Sequence, residues 1–250
     1  MPRRPKYKTF WDGVLVVDKP VGVTSMDVVR RVRHSAGFCK TGHAGTLDPL
    51  ASGVLVCCLG KATSLIDRLM AREKRYDASV DLSAFTTTDD AEGERTEVAV
   101  KSPPVLEEIE AACAGLTGTI MQRPPAYSAV HVDGQRAYAM ARKGEAVELK
   151  ARPVVVESIE VVRYAYPELE LRVVCGKGVY IRSLARDLGE ALGTGGSLSG
   201  LRRTAVLPFT LEDAVGVVGW ERCGEPIGQA DLIGLEALDE LMDGESDASE

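Results

Sequence analysis

Between Gly42 and Gly53 the chain reads GHAGTLDPLASG, in which Gly42, Gly45 and Pro49 surround a lone carboxylate, Asp48. Glycine lets backbone approach a ligand closely. A loop seated on a rigid scaffold can also hold one acid in a fixed place. An Asp before Pro is equally a common turn residue, so the spacing leaves both readings open. His43, in the same loop, reads as an exposed polar residue.

Other residues with chemical potential lie further along. Tyr76 sits in an alternating run and suits either a core position or a stacking surface. Lys177, between Gly176 and Gly178, could hold a phosphate or mark a solvated turn. Tyr180 and Arg182 open a helical pattern whose Ile181, Leu184, Ala185 and Leu188 face inward, which makes a surface arginine the plain alternative for Arg182. Asp89, Asp90 and Glu92 form an acidic cluster in a polar loop expected to be solvated.

These residues need elements to position them. Gly13 to Asp18 reads as a short strand. A helix follows, capped by Thr24 or Ser25 with Asp27 near the third position, striped by Val28, Val29, Val32 and Ala36, and stopped by Gly37. Residues 41–52 are predicted as loop, 53–59 as a buried strand and 62–70 as an amphipathic helix. Residues 75–82 alternate as a half-buried strand, 86–94 form a polar loop, and a helix starts at Ser102 and runs to about Ala114. Strand is expected over 126–132, a tight turn at Asp133-Gly134 and a helix over 135–143. Further strands surround Arg152 and span Glu168 to Cys175. A helix runs from Val179 to about Leu192, a flexible loop from Gly193 to Gly200, and a small helix over 232–242. Without regular strand–helix alternation, the pattern is α+β around a mixed, mostly antiparallel sheet flanked by helices and loops.

Composition bounds the function. With 45% hydrophobic and 27% charged residues the 250-residue chain reads as a soluble globular protein. No apolar run is long enough to cross a bilayer and no signal-peptide stretch follows the basic start, which places the protein in the cytoplasm. The six cysteines form no C-x-x-C pair and only three histidines accompany them, so neither a metal nor a disulfide is expected. The net charge of −7 alone argues against a nucleic-acid partner, but it is unevenly placed: residues 221–250 carry −9 and residues 1–40 carry +6. A basic arm over 1–12 and an acidic segment over 221–250 leave room for a local phosphate-binding surface between them.

Gly42 to Leu55 resembles the signature of the TruB family of tRNA pseudouridine synthases. Other stretches match in family order: GVLVVDKPVGVTS from Gly13, Lys74-Arg75-Tyr76, PPAYSAVHVDGQRAYAMARKG from Pro124, VCGKGVYIRSLARDLG from Val174, and Leu201-Arg202-Arg203-Thr204. The resemblance implies a pseudouridine synthase fold over 13–220, with an RNA-gripping insertion at about 124–150. It implies that Asp48 is the catalytic carboxylate, that Tyr76 lies on the flipped base, and that Arg182 pairs with Asp48. It implies that Tyr180 and Leu201 line the uracil pocket, that His43 helps hold the target loop open, and that Lys19 and Pro20 support the site wall.

The implied activity is an isomerase, a bacterial-type enzyme of tRNA modification that acts on the T-arm stem-loop at uridine 55. The chemistry fits these residue types. Isomerisation cuts the C1′–N1 bond, turns the uracil and rejoins it through C5, with no redox change and no group donor, so no cofactor is required. A carboxylate can attack C1′ or add to C6; an aromatic suits the extruded base; an arginine keeps the acid ionised. The chain ends soon after the last motif, which leaves no room for the small C-terminal RNA-binding domain of many relatives. That favours a stand-alone enzyme without an obligatory protein partner over the guide-RNA-dependent relatives; a monomer is the default, because no long amphipathic or apolar stretch signals an oligomer. Two other readings compete: an RNA-binding protein for which Asp48 is dispensable, and a glycoside hydrolase, which would call for a second carboxylate.

Overall fold

The computed structural model describes residues 11–128, 131–132, 135–136, 149–216 and 229–243. The chain divides into two compact units, Met1–Lys74 with Arg202–Glu250, and Arg75–Leu201.

The first unit opens with β1 (Gly13–Lys19), an apolar strand buried along nearly its whole length. Helix α1 (Ser25–Ser35) starts as the sequence predicts. Thr24 caps it, accepting from Asp27 N at 3.1 Å, and Asp27 returns the contact to Thr24 N at 3.1 Å. Gly37, at φ 62°, ends it. The expected loop from 41 begins instead with a short strand, β2 (Thr41–His43), which pairs with the far end of β3 (Ala51–Leu59). The single helix expected over 62–70 is a 3₁₀ stretch, Gly60–Leu65, followed by α2 (Ile66–Ala71). Thr63 and Ser64 donate to the carbonyls of Gly60 and Lys61, each at 2.8 Å. Such bonds to the backbone three residues back favour the tighter turn.

The second unit contains β4 (from Lys74 to Asp81), β5 (Ala84–Thr86), β6 (Arg95–Glu97), α3 (Leu106–Gly115), β7 (Gly118–Gln122), β8 (His131–Val132), β9 (Gln135–Arg136), β10 (Arg152–Ala165), β11 (Glu168–Cys175) and α4 (Ile181–Leu192). Its main sheet runs β4-β11-β10-β7. The β10–β11 and β10–β7 pairings are antiparallel. The alternation read over 75–82 is confirmed: Tyr76, Ala78 and Val80 are buried between exposed neighbours.

Four further expectations differ from the structure. Helix α3 starts at Leu106 rather than near Ser102, because Pro103 and Pro104 precede it and Glu108 accepts from Val105 N at 2.8 Å, setting the first turn there. Residues 126–128 are not strand, and Gln135 and Arg136 form a strand paired with 131–132 where a helix was expected. The Asp133-Gly134 turn and most of the 124–150 insertion lie outside the described residues. The loop expected over 193–200 is not loose: β12 (Ser197–Val206) begins within it. A Cβ on Gly195 would collide with the Ala84 backbone, so glycine there serves close packing rather than flexibility.

β12 carries the chain back to the first unit, which closes with β13 (Phe209–Thr210), β14 (Val215–Gly216) and α5 (Leu235–Asp243). β1 pairs antiparallel with β3 and parallel with β14. The first unit's core gathers Val14, Val16, Val54, Val56, Phe209 and Leu238, all almost fully buried. The fold is α+β with mostly antiparallel pairings. Residues 1–10 and 244–250, most of the basic arm and the end of the acidic segment, lie outside the described residues.

Candidate active site

The Asp48 loop runs from the end of β2 to the start of β3, two paired strands that fix its ends. Ala44 N donates to Val56 O at 2.9 Å, so the first residue after β2 is tied to the strand. The Ser25 hydroxyl accepts from Leu47 N at 2.8 Å and donates to Leu47 O at 2.9 Å. Gly22 N donates to Pro49 O at 2.8 Å. Asp48 O accepts from Ala51 N at 3.1 Å, which closes a turn. The residues on both sides of Asp48 are therefore anchored to distant segments. An ordinary surface turn needs only the last of these bonds.

Arg203, on β12, is 1% exposed. It donates to Val54 O at 2.7 Å and to Gly45 O at 3.1 Å, bridging β3 to the loop. Gly53, at φ 101°, sits so close that a Cβ there would collide with the Arg203 carbonyl oxygen. Arg202 turns to Asp18, with its nearer nitrogen at 2.7 Å.

Lys19 is fully buried and donates to the carbonyls of Pro20 and Val23 at 2.9 and 2.8 Å. Burial lowers its ammonium to about 8; the Asp48 carboxylate pulls it back up and the Arg203 charge pushes it down. Asp48 and Lys19 are thus close enough to feel each other's charge. His43 is half-buried with its Nδ1 atom fully enclosed. Burial and Arg203 lower its pKa, and a backbone contact with Gly45 works the other way.

In the second unit, Tyr76 is buried on β4 and Tyr180 occupies the N-cap of α4. Arg182 is no surface arginine. It is 5% exposed, donates to Thr88 O at 3.0 Å and Tyr127 O at 2.9 Å, and faces Asp90 at 3.4 Å. Asp90 also accepts from Thr88 Oγ1 at 2.5 Å and Glu92 N at 3.0 Å. Asp89 is ion-paired to Arg186 at 2.6 Å, and Arg186 binds Asp187 at 2.7 Å and Arg123 O at 2.9 Å. Of the acidic cluster expected to be solvated, Asp89 and Asp90 instead belong to a half-buried to buried ion-pair network, while Glu92 is exposed. Burial raises the Asp89 pKa against the pull of Arg186. Leu201 is half-buried at the end of this unit.

Of the expected site residues, Asp48, His43 and Lys19 fall in the first unit, and Tyr76, Tyr180, Arg182 and Leu201 in the second. The sequence offers Ser25 only as an alternative cap and Arg203 only within a family stretch, with no site role for either. The signal for Ser25 was the Thr24-Ser25 pair, in which only one residue can cap the helix. For Arg203 it was strand alternation, which puts it on the buried face with Ala205.

Cys39, Cys57, Cys58, Cys113 and Cys175 are buried free thiols. Burial raises the Cys57 and Cys58 thiols far above their usual range, so neither is a reactive thiolate. Among the described residues no group of three or more His, Cys, Asp or Glu could hold a metal ion. None of their helices is long and apolar enough to cross a membrane.

An α+β sheet fold with an anchored aspartate loop is the frame of a pseudouridine synthase. Family models agree. Residues 33–181 match the TruB family pseudouridylate synthase N-terminal domain, and residues 182–218 match the tRNA pseudouridylate synthase B C-terminal domain. The chain belongs to the TruB family. It is 53% identical over 211 residues to tRNA pseudouridine synthase B of Thermobifida fusca, covering 81% of this chain and 72% of that protein. It is 51% identical over 206 residues to the protein of the same name from Cereibacter sphaeroides, covering 82% of this chain and 68% of that one. Among solved structures it resembles a chain in the crystal structure of a Cbf5–Nop10–Gar1 complex, with a TM-score of 0.65 and 32% identity over 86% of this chain. This chain spans only 55% of the length of that one.

Proposed function

We propose that this chain isomerises the T-loop uridine of tRNA, position 55, to pseudouridine, with Asp48, Tyr76 and Arg182 as its catalytic residues. The observation that carries the reading is the multiple anchoring of the Asp48 loop by Ser25, Gly22 and Arg203. A fixed carboxylate is what the reaction needs. The C1′–N1 bond breaks and a C1′–C5 bond forms; the proton leaves C5 and N1 regains one. Asp48 adds to C1′ or to C6 and departs when the new bond forms, so nothing is consumed. Preorganisation keeps the cost of orienting the acid out of the barrier.

Tyr76 and Tyr180 offer aromatic surface to the extruded base, with Leu201 as an apolar wall. Lys19 supplies a buried positive charge to Asp48, and His43 contacts the RNA loop. The protein works in the cytoplasm as a monomer that acts on the tRNA T-arm without an obligatory protein partner.

The test is incubation with unmodified tRNA transcript, followed by carbodiimide-dependent primer-extension mapping. A stop at the T-loop uridine that disappears with Asp48→Asn is the expected result. Pseudouridine made by Asp48→Asn sinks the catalytic assignment. Binding without conversion of any uridine makes the protein an RNA binder, and free uracil released from the RNA makes it a hydrolase.

A further inference from the structure

The Tyr180 peptide is held by a side chain outside the stretches that carry the family resemblance, Gln122. Gln122 ends β7 and is 1% exposed. Its Oε1 accepts from Tyr180 N at 2.8 Å, and its Nε2 donates to Tyr180 O at 3.1 Å. Both polar groups of one residue are thus paired by one carboxamide, as a neighbouring strand would pair them. Its isostere Glu accepts equally well but cannot donate when ionised.

The neighbourhood carries the same connection. Ser183 Oγ donates to Arg123 O at 2.8 Å, and Arg186 donates to the same oxygen at 2.9 Å. The end of β7 is thereby fastened to the first two turns of α4. On the ring side, the Arg152 guanidinium carbon stands 5.6 Å from the Tyr180 centroid, while Arg152 donates to Gly178 O at 3.1 Å. An arginine over an aromatic face restricts how the ring can turn. Tyr180 carries no side-chain cap for the helix it opens, so its own sequence does not fix it. Gln122 and Arg152 do.

We propose that Gln122 is a positioning residue for uridine isomerisation: it sets the Tyr180 peptide, and through it the ring that faces the uracil. This rests on the function proposed above. The residue touches no substrate; it acts through Tyr180. A tRNA is gripped over a wide surface, so loosening one pocket wall should spare binding and slow chemistry. Misplacement by about an ångström costs up to roughly a hundredfold in rate.

The experiment uses the full chain with tritium-labelled tRNA, reading tritium released from C5 under steady-state and single-turnover conditions. Gln122→Met removes both bonds at similar volume. Gln122→Glu keeps the acceptor and regains the donor only when protonated. Expected are a kcat loss of about tenfold or more with KM within about twofold, and partial recovery of kcat by Gln122→Glu, but not Gln122→Met, on acidification. Melting curves of both variants show whether they are folded, and amide exchange at residues 178–184 reports the clamp directly. A folded Gln122→Met with wild-type kcat overturns the proposal. So does a rise in KM alone, or a loss that tracks unfolding with no acid recovery in Gln122→Glu. If wild-type protein makes no pseudouridine, the proposed function fails first and the positioning role falls with it.

Discussion

The Ser25 hydroxyl holds both polar groups of Leu47, accepting from its N–H at 2.8 Å and donating to its carbonyl at 2.9 Å across 22 residues of chain. Ser25 itself is 2% exposed in the first turn of α1. Ser25→Ala leaves two buried backbone groups without that partner, which costs about 1–3 kcal/mol for each unsatisfied group. Leu47 directly precedes Asp48, so the loss should appear in chemistry as well. The expected outcome is a lower melting temperature together with a kcat reduction of roughly tenfold. Differential scanning calorimetry and single-turnover tritium release measure the two. Unchanged kcat in a destabilised variant would separate the clamp from the reaction.

Arg203 fastens the same loop from β12. Arg203→Met keeps most of the buried volume but leaves Val54 O and Gly45 O without their donor. Each unpaired carbonyl costs about 1–3 kcal/mol. Arg203→Lys can reach only one of them with a point charge and should fall between wild type and Arg203→Met. Gly53→Ala should be worse than either, because the Arg203 backbone occupies the Cβ position and φ is 101°. Urea unfolding midpoints should rank wild type, Arg203→Lys, Arg203→Met and Gly53→Ala in falling order. A Gly53→Ala protein of wild-type stability would contradict the close approach.

Much of this could be read in the sequence, and what could not has physical causes. The capping box at Thr24 and Asp27, the alternation around Tyr76 and the Glu168–Cys175 strand were legible because each is a local pattern. The Thr41–His43 strand was not, because three residues carry no periodicity and only pairing with β3 makes them a strand. Gly193 to Gly200 looked loose because glycine usually frees a chain, whereas here it admits the Ala84 backbone. Asp89 and Asp90 looked solvated because their cations, Arg186 and Arg182, lie more than ninety residues away in sequence. Asp48 was legible as a residue, but local pattern says at most that Ser25 is a spare cap candidate and Arg203 faces inward; that they anchor the Asp48 loop depends on contacts across 22 and 158 residues.

Lys19 should give the protein a characteristic response to alkali. Its folded pKa is about 8, below the ordinary lysine value of 10.5, because burial disfavours the ammonium. The unfolded chain therefore binds more protons than the folded one between those values, so stability attributable to Lys19 rises with pH across that window. The slope is at most about 1.4 kcal/mol per pH unit. Asp48 loses a favourable charge over the same range. Wild type should gain stability relative to Lys19→Met as pH rises above about 8, while its kcat falls relative to the more acidic plateau. Lys19→Met should lack that limb of the kcat profile. Paired thermal melts and pH–rate profiles test both halves, and identical profiles would remove Lys19 from the electrostatics of Asp48.

The Asp89–Arg186 pair predicts an asymmetry between its two halves. Arg186 is 8% exposed and serves Asp89, Asp187 and Arg123 O at once. Arg186→Met removes the cation from two carboxylates, and breaking a buried pair in this way costs about 3–5 kcal/mol. Asp89→Asn leaves Arg186 with Asp187 and the Arg123 carbonyl, and it removes a carboxylate whose pKa burial already raises. Its cost should be smaller. The raised pKa has its own sign: the folded state holds the Asp89 proton more tightly than the unfolded one, so this group's contribution to stability declines as pH rises past the usual carboxylate range. Asp89→Asn should abolish that decline while leaving the protein folded. A double-mutant cycle over Arg186 and Asp89, read from denaturant midpoints at two pH values, measures the coupling. Equal costs for the two single variants would mean that Asp187 and the Arg123 carbonyl contribute nothing to holding Arg186 in place.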